Sequence, residues 1–285
     1  MIGWRRFAAA AGLMLLGACG RTTPAPTAAT PDRPMVVVSV APLAYFVERL
    51  AEDRVAIEVM IPPGANPATY EPTMTQMRSV TRATIYVKVG HPSFPFEAAW
   101  LDRLLGPAAG VTVVDATAGA PHRRGDPHVW LSPAAARVMI DNLADALATV
   151  LPHDSAALDA NRVTLLAEIA DLEATLHQVL DPHRGRSIVV FHPAWGYLTE
   201  AYGLTQAAIE HNHQEPDAHT LAELIAHARA SDTKVIFVQP QFATASAEMV
   251  ARAVNARVVA IDPLARDWDA NLRRVARAWA ESFEP

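Results

Sequence analysis

From Met35 onward, short β-branched runs alternate with longer helical patterns, and this alternation constrains the fold more than any other feature of the sequence. Strands are predicted at Met35 to Val40, Val55 to Ile61, Thr84 to Val89 and Val111 to Val114, with helices between them. A second set repeats the pattern at Ser187 to Phe191, Gln206 to Ile209, Lys234 to Val238 and Arg257 to Ile261. Strand, helix and strand in succession make βαβ units, and such units assemble a mostly parallel sheet with helices on its faces. The expected fold class is therefore α/β, in two lobes.

The stretch between the two sets has a different period. Leu158, Leu165, Leu172 and Val179 recur every seven residues, with Ile169 and Leu176 in the intervening positions. One amphipathic helix from about Asp154 to Asp181, stopped by Pro182 and Gly185, would span ~40 Å. With only about three heptads and globular flanks, a strut packed along both lobes is expected rather than a coiled-coil arm. Such a strut restricts hinge motion. The expected boundaries are 35–152 for the N-terminal lobe, 153–184 for the linking helix and 185–285 for the C-terminal lobe.

Residues 1–34 stand apart. Trp4-Arg5-Arg6 followed by the apolar run Phe7 to Leu16 has the layout of a secretory signal. Ten apolar residues cover ~15 Å as a helix, about half of a bilayer core. Leu16-Gly17-Ala18-Cys19 is the pattern that lipoprotein signal peptidase cleaves, so residues 1–19 are expected to be a signal and Cys19 the lipidated first residue. Cys19 is the only cysteine, which leaves the folded part without disulfides and without a thiolate for a metal. Residues 20–34, rich in Thr, Ala and Pro, have too little apolar surface to fold alone and are expected to form a tether. Without Arg5 and Arg6 the 24 basic residues become 22 against 30 acidic ones, a balance of −8. That balance argues against nucleic acid as a partner.

In open α/β sheets, ligands bind outside the carboxyl ends of the strands. His192, in Phe191-His192-Pro193-Ala194-Trp195, follows a predicted strand directly. His128 lies in Asp126-Pro127-His128-Val129-Trp130-Leu131-Ser132-Pro133, just before a helix, and Asp262 follows the last predicted strand. Two imidazoles and a carboxylate would suit zinc, manganese or iron, and Asp126 could hold the second nitrogen of His128. Single histidines and aspartates after strands also cap helices or satisfy loop backbone, so spacing alone leaves both readings open.

These segments resemble the zinc/manganese-type solute-binding proteins of ABC importers, the ZnuA/TroA-like family. The resemblance rests on Pro62-Pro63-Gly64-Ala65-Asn66-Pro67 with Tyr70-Glu71-Pro72, on the stretches around His128 and His192, and on Glu215-Pro216. It runs from Val36 to the C-terminal helix. The family implies two α/β lobes joined by one long helix, a divalent metal held in the cleft by three histidines and a carboxylate, and delivery to a membrane permease driven by an ATPase. By that match His128, His192 and Asp262 correspond to the second, third and fourth ligands. The first does not carry over, because Ala68 stands where the family has histidine.

The missing ligand could come from elsewhere in the same lobe, be replaced by water, or mark a site that has lost its metal. His91, after the strand Thr84 to Val89, is the best substitute, although it could equally line the turn before Pro92. His211 and His213 form an accessory or metal-delivery pair or else a solvated loop. Two other function classes compete: a metal-dependent hydrolase using the same histidines, with Glu71 or Glu210 as base, and an adhesin or interaction protein that no longer binds metal. No HExxH, GxSxG or P-loop supports the first. The leading expectation is a monomeric, lipid-anchored metal-binding protein on the periplasmic or cell-surface side of a bacterial membrane.

Overall fold

The computed structural model describes residues 33–210, 218–230, 233–243 and 245–284. The expected signal, Cys19 and nearly all of the expected tether lie outside these residues, as do His211 and His213. Two four-stranded parallel sheets form. The first comprises β1 (Met35–Val38), β2 (Ala56–Val59), β3 (Ile85–Lys88) and β4 (Thr112–Asp115), in the order β2-β1-β3-β4. The second comprises β5 (Ser187–Val190), β6 (Thr205–Ala208), β7 (Val235–Val238) and β8 (Arg257–Ala260), in the same relative order, β6-β5-β7-β8. In each, the first strand has neighbours on both sides reached by helices on opposite faces, so a crevice opens at the carboxyl ends of β1 and β3 and again of β5 and β7.

The helices are α1 (Ala41–Ala51), α2 (Met74–Arg82), α3 (Pro95–Leu105), α4 (Pro133–Val150), α5 (Ser155–Leu180), α6 (Gly196–Ala201), α7 (Ala218–Ala230), α8 (Ala245–Val254) and α9 (Trp268–Ser282). Their starts follow local chemistry. Ser132 accepts from the Ala135 N–H at 3.2 Å with Pro133 in the first turn of α4, and Thr73 with Gln76 closes a capping box on α2. Alternation along the strands of the second lobe splits its core. Ile188, Val190, Val235 and Phe237 join the large core that runs through the first lobe, while Val189, Phe191, Ile236 and Val238 face α7 and α8.

The long helix is α5, 26 residues, and it packs against α1, α4 and α9. Leu158, Leu165, Ile169, Leu172, Leu176 and Leu180 are buried along it. Each such side chain contributes roughly 1.5–3 kcal/mol, against about 0–1 kcal/mol for an exposed ion pair such as Arg273 with Asp171, so apolar packing holds the strut. Trp268 of α9 ties to the first lobe: its ring lies 5.1 Å from Phe46 of α1, and its indole N–H donates to the Trp130 carbonyl at 2.6 Å. Trp130 in turn donates to the Pro263 carbonyl at 2.8 Å. Among the described residues no helix is long and apolar enough to cross a membrane.

Candidate metal site

His128 stands at the end of the loop that leaves β4. Asp126 fixes it twice over, its Oδ1 accepting from the His128 backbone N–H at 3.0 Å and from Nδ1 at 2.9 Å. His192 follows β5. The buried Gln239, just beyond β7, clamps its main chain, accepting from the His192 N–H at 3.1 Å and donating to its carbonyl at 2.8 Å. The His192 Nδ1 donates to Glu210, a buried carboxylate at the carboxyl end of β6, and Phe242 stacks on the ring at 4.8 Å. Since a carboxylate only accepts, each imidazole carries a proton on Nδ1, which leaves Nε2 as the ring atom through which it could bind a metal.

The two Nε2 atoms are 3.4 Å apart. Two nitrogens bound to one tetrahedral zinc at the usual Zn–N length lie ~3.3 Å from each other, so the spacing already matches a pair of adjacent ligands. A cation placed between the two nitrogens would form a bond to each. A carboxylate behind each imidazole is the arrangement that orients metal-binding histidines and raises their basicity.

Both histidines face a small cavity with about 30 Å³ of space, enough for an ion or a water. Its wall on the N-terminal side includes Asn66, Pro67, Ala68 and Phe94, and on the C-terminal side Gln241, Phe242 and Leu264. The Asn66 side chain accepts from the Ala68 N–H at 2.9 Å and its carbonyl from the Tyr70 N–H at 2.9 Å, which turns Ala68 toward the cavity. A methyl group therefore stands in the wall where the family resemblance expects an imidazole.

The structure does not bring His91 to this pair. Gly90 has φ +84°, and a side chain there would collide with the Asp115 carboxylate, so the turn after β3 is confined to glycine. It delivers His91, 4% exposed, into the loop region instead: Nδ1 accepts from the Ser93 N–H at 3.1 Å and Nε2 donates to the Arg123 carbonyl at 3.0 Å. Asp262 is engaged beside the cavity wall, its Oδ1 accepting from Gln241 Nε2 at 2.7 Å and from the Leu264 N–H at 2.9 Å. Among the described residues no three His, Cys, Asp or Glu side chains gather closely enough to hold a metal ion. Glu71 is exposed and is not part of the cavity wall.

Several contributors were not singled out from the sequence. Gly196, at the start of α6, lies against the Asp126 carboxylate, and Arg123 reaches from the same loop to Glu200 of α6 in an ion pair. The Tyr197 hydroxyl accepts from the Arg123 N–H at 2.7 Å and donates to the Asp126 carbonyl at 3.3 Å. The loop that holds His128 is thus seated on the second lobe. Gln239 and Gln241 follow β7, and the strand-end rule that selected His192 would have selected them as well. In the first lobe, Glu97 of α3 accepts from Ser39 Oγ at 2.6 Å and from the Val89 and Gly90 N–H groups at 2.6 and 2.9 Å, anchoring the turn that leads to Phe94. Burial pushes its carboxyl above the ordinary range, and those hydrogen bonds pull it back only in part.

Comparison with known proteins gives the family of the chain. The family model described as ZnuA, zinc-uptake complex component A periplasmic, matches residues 36–281. The high-affinity zinc uptake system protein ZnuA of Bacillus subtilis (strain 168) is 25% identical over 278 residues, covering 90% of this chain and 87% of its own. A crystal structure of ZnuA superposes with a TM-score of 0.84 at 35% identity, covering 88% of this chain and 99% of the other. A zinc-bound deletion mutant of ZnuA superposes at 0.83, also 35% identical, covering 89% and 99%. With both lobes, the linking helix and the paired histidines in place, the chain belongs to the ZnuA family of zinc-uptake solute-binding proteins.

Proposed function

We propose that this protein captures a divalent transition metal, zinc foremost, between His128 and His192 and delivers it to an ABC permease powered by a separate ATPase. The observation that carries this is the facing Nε2 pair, 3.4 Å apart and backed by Asp126 and Glu210. Asp262, beside the cavity, adds negative charge that two neutral imidazoles lack. Lipid anchoring through Cys19 keeps the protein at the outer side of the membrane near the permease, and it acts as a monomer without catalysing a reaction. The relatives whose names and titles speak of zinc uptake and bound zinc support the choice of ion.

Elemental analysis of the protein purified without chelator tests this reading. About one zinc, manganese or iron per chain is expected. Metal-free protein that also ignores added zinc would favour an adhesin or interaction role, and ester, peptide or phosphate turnover that vanished in His192→Ala would favour a hydrolase.

A further inference from the structure

The structure assigns to Gln241 a role as oxygen donor to the captured ion, a side-chain ligand in place of the histidine absent at Ala68. This inference rests on the proposed metal capture and deepens it. Gln241 lies just beyond β7, next to β5 and its His192, at the point where the strand order of the second sheet diverges. It lines the same cavity as His128, His192 and Ala68, and it is 8% exposed.

The two ends of its amide are used differently. Nε2 donates to Asp262 Oδ1 at 2.7 Å, and because a carboxylate offers no proton, this fixes which end is nitrogen. Oε1 is buried and has no hydrogen-bond partner among the described residues. A buried carbonyl oxygen without a partner carries a desolvation penalty that calls for a compensating role. Neighbouring polar groups are used locally: Asn66 Oδ1 by the Ala68 turn, the Gln239 amide by the His192 main chain, Asp262 Oδ1 by Gln241 and Leu264.

An amide oxygen is a neutral, hard donor. Carbonyl and carboxylate oxygens suit magnesium, calcium and manganese, whereas imidazole suits zinc, copper, iron and nickel. Two imidazoles with oxygen from Gln241 make a site less selective for zinc over manganese than one with three imidazoles. The hydrogen bond to Asp262 polarises the amide and raises the electron density at Oε1, so the neighbouring carboxylate strengthens the donor without coordinating.

The test compares zinc affinity, by competition with a chromophoric chelator, in the wild type, Gln241→Leu and Gln241→Glu. Leucine fills a similar volume without a polar atom; glutamate keeps an oxygen and loses the donor to Asp262. A loss of ~10-fold or more in Gln241→Leu with affinity retained or raised in Gln241→Glu is expected. Affinity within about twofold of wild type in Gln241→Leu, or an equal loss in both variants, would overturn the assignment, the second result leaving Gln241 only a prop for Asp262. X-ray absorption at the zinc edge of the wild-type complex reads the same question without a variant: two imidazoles with at least two oxygens are expected, and a shell of three or more imidazoles contradicts it. Wild-type protein that binds no zinc would instead overturn the underlying reading of metal capture.

Discussion

The Nε2 atoms of His128 and His192 lie 3.4 Å apart while the Nδ1 of each ring is bonded to a carboxylate, Asp126 in one lobe and Glu210 in the other. The carboxylates hold both Nδ1 atoms and so orient both rings. Asp126→Asn and Glu210→Gln are therefore each expected to weaken zinc binding by ~10–100-fold while leaving the fold intact. Competition titration against a zinc chelator measures this, and affinities unchanged in both variants would show that the carboxylates do not act through the imidazoles.

Gly196 belongs to the second lobe yet leaves room for Asp126 of the first. A Cβ at that position would stand 2.4 Å from Asp126 Oδ2 and 3.2 Å from Arg123 Nε. Gly196→Ala should push the Asp126 carboxylate off His128 and lower zinc affinity by ~10-fold or more. In an otherwise ordinary helix position alanine is favoured over glycine, so the same variant is expected to keep its thermal stability. A large loss of melting temperature with affinity preserved would place the strain in packing and not in the site.

Ala68 offers a test by gain. Ala68 lines the cavity shared by the two histidines. Ala68→His should add an imidazole, tighten zinc binding by ~10-fold or more and widen the preference for zinc over manganese. Isothermal titration with both ions reads both effects, and weaker zinc binding in the variant would mean that the 66–70 loop does not direct this position at the ion.

Much of this was legible in the sequence, for physical reasons that differ by residue. The eight strands and the long helix show through because β-branched runs and a heptad of leucines are local patterns whose burial is decided by period. His128 and His192 were legible because both strand-end position and motif select them. The surroundings of His91 were not, since a position after β3 says nothing of the Arg123 carbonyl that the ring meets. Gln239, Gln241 and Gly196 act through contacts with residues tens of positions away, and no local pattern announces a clamp on another residue's backbone or the space needed by another's carboxylate.

Glu97 gives the fold a pH dependence of definite sign. Burial raises its carboxyl in the folded state, so the folded protein holds this proton over a pH range in which the unfolded chain has released it. The contribution to stability is full below the ordinary carboxyl range and is lost as pH rises through the raised value. Urea unfolding of wild type and Glu97→Gln from about pH 4 to about pH 8 should show the wild type losing ground to the variant as pH rises. A difference that stays flat, or grows the other way, would mean that the Ser39, Val89 and Gly90 hydrogen bonds outweigh burial.

The most direct measurement is zinc stoichiometry and affinity of the metal-free wild type beside His128→Ala and His192→Ala, each titrated in competition with a chromophoric chelator. The account predicts one high-affinity zinc per wild-type chain and its loss in both variants, each of which leaves a single imidazole facing the cavity. One zinc per chain, bound equally well by all three proteins, would contradict it and put the ion somewhere other than between His128 and His192.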